Sequence, residues 1–153
     1  MNIYLIGYRC TGKTTLGQAL ARRLDRPFVD TDDAIVADSG QTISEMVAQH
    51  GWADFRAREC KQIESLARRA GLVIATGGGV VLDPDNVAAM RVDGTVVWLR
   101  CRPETIARRM RADTRSDAMR PSLTGGPLHD EIETTLAVRE PLYRQAMHLA
   151  LDT

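Results

Sequence analysis

The chain has 153 residues with 20 basic and 20 acidic side chains and a formal net charge of zero. It is long enough for one domain with a real core, and it shows no electrostatic footprint for nucleic acid or an anionic membrane. No apolar run approaches a membrane span and no signal-peptide pattern is present, while three cysteines at unrelated spacings (Cys10, Cys60, Cys101) form neither a disulfide framework nor a zinc pattern, which predicts a reducing, cytoplasmic setting.

Ile3–Ile6 is a short apolar run that reads as a first strand. It leads into Gly7-Tyr8-Arg9-Cys10-Thr11-Gly12-Lys13-Thr14, which fits the phosphate-binding pattern G-x-x-x-x-G-K-[ST] at every fixed position. Thr15 to Ala21 then reads as a helix, with Leu16, Ala19, Leu20 and Leu24 on one face. In such a strand–loop–helix setting the loop N–H groups and the helix N-terminus point at an anion. Lys13 is placed to reach the outer phosphates of a nucleotide and Thr14 to ligate Mg²⁺. Only Lys13 and Lys61 are lysines among the 20 basic residues. A compact ammonium at the loop is chemically sensible there, because Arg and Lys are not interchangeable at a phosphate.

Pro27–Val29 is a second strand candidate, followed by Asp30-Thr31-Asp32-Asp33. If the strand continues, Asp30 and Asp32 project to one side, roughly 7 Å apart. One carboxylate would then face the Mg²⁺ shell, Asp30 through water, and the other an acceptor hydroxyl. The same cluster equally suits a helix N-cap. Thr42 or Ser44 can cap a helix that reaches His50, with Gly51 as its stop. A further helix follows from Trp52 to Ala70, where Arg56 and Glu59 are spaced to pair at i, i+3. Leu72–Ala75 is a third strand, and Thr76-Gly77-Gly78-Gly79 removes all side chains where it ends. That is either a flexible turn or bare backbone beside a ligand at the carboxyl end of a sheet.

Thr95–Leu99 reads as a fourth strand, and Pro103 opens a helix through Arg111. Residues 112–127 lack apolar periodicity and are expected to form a mobile lid. A last helix starts near Asp130, Pro141 should kink or interrupt it near Arg139, and His148–Leu151 is a fifth strand. The histidines (His50, His129, His148) read as ordinary surface or packing residues. The strand runs lack polar alternation, as parallel strands covered on both faces do. The alternation of strands and helices predicts an α/β fold.

In order along the chain, GYRCTGKTT (7–15), FVDTDD (28–33), FRARE (55–59), VIATGGG (73–79), RPSLTGGP (120–127) and REPLYR (139–144) resemble the motifs of shikimate kinase. The resemblance covers nearly the whole chain. It implies a P-loop NTPase fold of three α/β/α layers, with a five-stranded parallel sheet in the order 2-3-1-4-5 and a lid. It implies transfer of the ATP γ-phosphate to the 3-hydroxyl of shikimate with Mg²⁺, in a single domain, by a monomer. The nucleotide would meet Gly7, Arg9, Cys10, Thr11, Gly12, Lys13, Thr14 and Thr15, with Arg109 on adenine and Arg120 closing on the transferring phosphate. Lys13, Asp32 and Arg120 would be catalytic. Asp32, Arg56, Gly77, Gly78, Gly79 and Arg139 would bind shikimate, with Glu59 fixing Arg56, and Thr14 and Asp30 (through water) would serve Mg²⁺.

Two departures stand out. Cys10 occupies a position where many members have a third loop glycine, and a thiol there is a candidate for unusual acidity. The sequence ends at Thr153, where family members continue into an adenine-contacting loop and a last helix, so either it is shortened or nucleotide affinity rests on the phosphate loop and Arg109. The competing readings are a related kinase for a substrate such as gluconate, and a catalytically poor nucleotide-binding module.

Overall fold

The computed structural model describes residues 1–92, 94–113 and 121–153. Five strands form one sheet: β1 (Asn2–Ile6), β2 (Phe28–Asp30), β3 (Val73–Ala75), β4 (Gly94–Arg100) and β5 (Leu149–Asp152). Every pairing is parallel and the order is β2-β3-β1-β4-β5. The three inner strands carry the apolar runs because helices cover both of their faces. Tyr4, Leu5, Ile6, Val73, Ile74, Val96 and Leu99 are all buried. The edge strands β2 and β5 are only partly covered.

The helices are α1 (Lys13–Leu24), α2 (Thr31–Ser39), α3 (Ile43–Ala67), α4 (Pro84–Val92), α5 (Pro103–Ala112) and α6 (Leu128–Ala146). The α1 face differs from the leucine stripe read in the sequence. Its buried residues are Gly17 and Ala21, while Leu24 is exposed. A Cβ on Gly17 would stand 2.5 Å from the Phe28 ring, so closeness to β2, rather than bulk, selects the packed face. The helix α2 follows the N-cap alternative left open for the Asp30–Asp33 cluster, whereas α4, with the 3₁₀ turn Val80–Leu82 before it, escaped the sequence reading.

The reading around α3 is confirmed at both points. Thr42 forms a capping box with Glu45, its hydroxyl accepting from the Glu45 N–H while the Glu45 carboxylate accepts from the Thr42 N–H. Gly51, at φ 81° and ψ 170°, breaks the helix into two segments. Of the two outcomes expected at Pro141, interruption does not occur, since α6 continues to Ala146. Proline removes one N–H donor, and burial of Ile132, Leu136, Arg139 and Tyr143 holds the turns on either side of it. Asp130, expected at the helix start, lies in the first turn.

Among the described residues no helix is long and apolar enough to cross a membrane. None of the three cysteines is in a disulfide. Of the histidines, His129 pairs with Glu133 at 3.2 Å and His148 Nδ1 accepts from the Val96 N–H; both are structural contacts.

Candidate active site

The carboxyl ends of β1, β2 and β3 converge on one cavity of about 820 Å³. One end of it is the phosphate loop. Gly7, at the tip of β1, has φ +143°, and a Cβ there would lie 2.6 Å from the Leu99 carbonyl, so no other residue fits. Cys10 adopts the left-handed conformation at φ 57°. This explains why glycine suits the position, and why cysteine can stand there only with some backbone strain. The N-terminus of α1 has no side-chain cap, so its first amides are directed into the cavity as an anion site. Lys13 Nζ donates to the Gly7 and Tyr8 carbonyls at 2.7 Å each, and the Thr11 hydroxyl donates to Tyr8 O at 2.9 Å. Arg9, Cys10, Thr11, Gly12, Lys13, Thr14 and Thr15 all line the cavity. Gly7 stands behind them and shapes the loop.

Asp30 and Asp32 are not two residues of one strand. Asp30 ends β2 and caps α2, its Oδ1 accepting from the N–H groups of Asp32 and Asp33 at 3.0 and 3.3 Å. Asp32 sits in the first turn of α2. The strand-spacing estimate therefore fails, because the chain turns into a helix at Thr31. The N-cap alternative for Asp30 holds, and its Oδ2 also accepts from the Thr14 hydroxyl at 2.8 Å. A hydroxyl and a carboxylate side by side at a phosphate loop are the hard oxygen donors that Mg²⁺ takes, so these residues fit the ion. Among the described residues no group of three or more His, Cys, Asp or Glu could hold a metal ion.

The other end of the cavity is built on the glycine triplet. A Cβ on Gly77 would meet Glu59 Oε2 at 2.5 Å and Asp32 Oδ1 at 3.0 Å, and one on Gly79 would enter the Arg56 guanidinium. A Cβ on Gly78 would lie 3.4 Å from both Arg139 Nη1 and the Gly7 carbonyl. The triplet is thus the floor on which four charged side chains rest, and Gly78 is the seam joining that floor to the phosphate loop. It is not a flexible turn. The Gly77 N–H donates to Thr31 Oγ1 at 3.1 Å, the Val80 and Leu82 N–H groups return to the Gly77 and Gly79 carbonyls, and the Tyr143 hydroxyl donates to Gly78 O at 2.5 Å.

Arg56 pairs with the buried Glu59 at 2.9 Å. Its guanidinium lies 5.2 Å from the Trp52 ring centre and 5.4 Å from that of Phe55, a cation–π setting that fixes its plane. Burial raises the Glu59 carboxyl above its usual range, opposed by Arg56. Arg139 is almost fully buried. Burial, with the nearby charges of Asp30 and Glu59 adding to it, lifts the Asp32 carboxyl to about 7, against the opposing pull of Lys13 and Arg56. Asp32 Oδ1 and Glu59 Oε2 are buried with no hydrogen-bond partner in the protein, as acceptors waiting for a polyhydroxylated ligand would be.

The structure therefore gathers Lys13, Thr14, Asp30, Asp32, Arg56, Glu59, Gly77–Gly79 and Arg139 around one space. Arg109 reaches the same space, with Nη1 3.1 Å from Cys10 O and 3.6 Å from Cys101 Sγ. Arg120 lies outside the described residues. The lid expected over 112–127 is described only in part: Ala112 belongs to α5, and 121–127 forms neither helix nor strand. Sequence reasoning missed Trp52, Tyr143 and Glu131. A Trp one turn before Arg56 carried a usable signal, and Tyr143 stood inside the REPLYR motif, although its contact with Gly78, 65 residues away, did not show there; Glu131 lay in no motif, and its partners seven to nine residues earlier follow no helical or strand spacing.

The shikimate kinase family model matches residues 9–153. The chain belongs to the shikimate kinase family. Shikimate kinase 2 of Sodalis glossinidius is 46% identical over 151 residues, covering 99% of this chain and 86% of that one. The shikimate kinase of Syntrophus aciditrophicus is 46% identical over 160 residues, covering 99% and 82%. Among solved structures, the shikimate kinase from Acinetobacter baumannii in complex with shikimate superposes with a TM-score of 0.92 at 36% identity, covering 99% of this chain and 83% of that one. The YorR protein of Bacillus subtilis, at 17% identity and a TM-score of 0.64, shares the fold alone. Membership in the shikimate kinase family makes the chain an enzyme, a phosphotransferase with the P-loop kinase fold.

Proposed function

We propose that this protein transfers the γ-phosphate of ATP to the 3-hydroxyl of shikimate, forming shikimate 3-phosphate and ADP, as a cytoplasmic, monomeric enzyme of aromatic amino-acid biosynthesis. The observation that carries the reading is the glycine floor. It sets two guanidinium groups and two carboxylates beside the phosphate loop within one cavity. Family membership and the shikimate-bound relative supply the acceptor.

Each residue has a role that follows from its place. The loop amides and Lys13 hold the β- and γ-phosphates, and the ammonium exchanges its two carbonyl contacts for phosphate oxygens as it does so. Thr14, with Asp30 through water, would hold Mg²⁺, which supplies charge neutralisation at the transferring phosphate when bound. Arg56 and Arg139 grip the acceptor carboxylate, for which a rigid guanidinium fork is suited. Glu59 and the Trp52 and Phe55 rings hold Arg56 in orientation. Asp32 accepts hydrogen bonds from ring hydroxyls and takes the proton of the attacking one; a carboxyl near 7 is well matched to that task at neutral pH. The backbone of Gly78 and Gly79 lets the acceptor approach the phosphate with no side chain between. Arg109 packs on adenine; the role of Arg120 on the transferring phosphate rests on the family motif alone.

The deciding measurement is ADP release from Mg-ATP with shikimate, with gluconate and with no acceptor. Release should depend on shikimate. Equal release with gluconate, or none with either, would overturn the reading.

A further inference from the structure

Glu131 lies in the first turn of α6, is 3% exposed, and has no place in the roles assigned above. A single oxygen, Oε1, accepts from Ser122 Oγ at 2.5 Å, Leu123 N at 2.7 Å, Thr124 N at 2.9 Å and Thr124 Oγ1 at 3.3 Å. A buried carboxylate that collects backbone N–H groups in this way fixes the chain around it. Burial alone would raise its carboxyl, yet these bonds and the Arg9 charge hold it below the usual range. The segment so held includes two residues of the cavity wall, since Pro121 and Leu123 line it. On its other side the segment is held by the phosphate loop, where Arg9 Nη2 donates to Pro121 O at 2.7 Å.

We propose that Glu131 is a positioning residue for phosphoryl transfer, anchoring Ser122–Thr124 to α6 so that Pro121 and Leu123 form a fixed wall against the phosphate loop. The inference rests on the kinase reading above. The same helix carries Arg139, about 12 Å further along at helical rise, and Tyr143, which holds Gly78 O. One rod therefore sets the wall beside the nucleotide, the acceptor clamp and the glycine floor. The acceptor contacts do not involve Glu131, so its loss acts on the nucleotide side. A loosened wall admits water and misaligns the transferring group, which lowers turnover more than acceptor binding.

The test compares Glu131→Ala and Glu131→Gln with the wild type; the amide of Gln keeps one acceptor oxygen and is the milder change. In Glu131→Ala, kcat should fall by about tenfold or more while KM for shikimate changes by less than about threefold, with Glu131→Gln between the two. ADP released per phosphorylated acceptor should rise above one. Hydrogen exchange at the Leu123 and Thr124 amides should quicken by about tenfold, with Ile132 and Leu136 unchanged. Unaltered kcat with intact coupling, or a rise in KM for shikimate alone, would overturn the proposal, as would unchanged exchange at Leu123 and Thr124. A wild type without shikimate-dependent ADP release would sink the kinase reading instead, and amide exchange would still decide the anchor.

Discussion

Asp32 shows how a short acidic side chain acquires a function from its surroundings. Its carboxyl is lifted to about 7 by burial and by the neighbouring Asp30 and Glu59 charges. In metal-free, nucleotide-free protein a carboxyl signal should titrate near that value by NMR and be missing from Asp32→Asn. The sign for stability follows from linkage. The folded-state value exceeds the ordinary 3.8, so the native state holds the proton more tightly. The stability due to this group is present at low pH and is lost as pH rises through about 7. Denaturant unfolding at pH 5 and pH 8 should show a smaller loss in Asp32→Asn than in the wild type; an equal loss would contradict the assignment. Asp32→Asn should also lower kcat far more than it raises KM, because the side chain acts on the reacting hydroxyl. Arg139→Ala should weaken shikimate by about 2–5 kcal/mol and leave ATP binding unchanged, as read by calorimetry with each ligand separately.

At the scale of elements, what matters is how close one can come to another. The turn after β3 carries three glycines because α3 and α2 deliver Arg56, Glu59 and Asp32 directly onto its backbone. Gly79→Ala should displace the Arg56 guanidinium and raise KM for shikimate, with the affinity for ATP alone retained; unchanged acceptor kinetics would show that Arg56 has somewhere else to go. The break at Gly51 lets the second half of α3 set its own direction, so that Arg56 and Glu59 face the triplet while Phe55 joins Ile43 and Met46 of the first half and Ile35 in one apolar cluster. The capping box at Thr42 belongs to the first half only. Thr42→Ala should cost about 1 kcal/mol in denaturant unfolding and leave turnover at saturating substrates as in the wild type. A large loss of activity would mean that the first half of the helix also sets the acceptor clamp.

Taken as a whole, the molecule is a parallel sheet whose carboxyl ends open on one cavity, which the proposed function divides between a nucleotide and an acceptor. Mg-ATP and shikimate should each raise the melting temperature, by an amount equivalent to about 2.7 kcal/mol at a ligand concentration of one hundred Kd. On the proposed function, the shift with ADP and shikimate together should approach or exceed the sum of the separate shifts, since Gly78 lies between the phosphate loop and Arg139. A shikimate shift abolished by a nucleotide would place the acceptor in the nucleotide's own half. The sequence by itself determined the phosphate loop, the parallel α/β sheet, a helix cap at Thr42 or Ser44 and the Gly51 break, while the structure chose Thr42 and added the reciprocal bond from Glu45. Each of the former is a constraint on consecutive residues: a required backbone angle, a helix cap, a run of apolar side chains. The family motifs added the sheet order and the members of the site. Only the tertiary structure decided that Asp32 stands on a helix rather than a strand, that α6 survives Pro141, and that the buried face of α1 is its small residues. It alone brought Tyr143 to Gly78, 65 residues away, and joined Thr31 to Gly77 across 46. Those outcomes depend on desolvation and on contacts between remote segments, which no local pattern encodes.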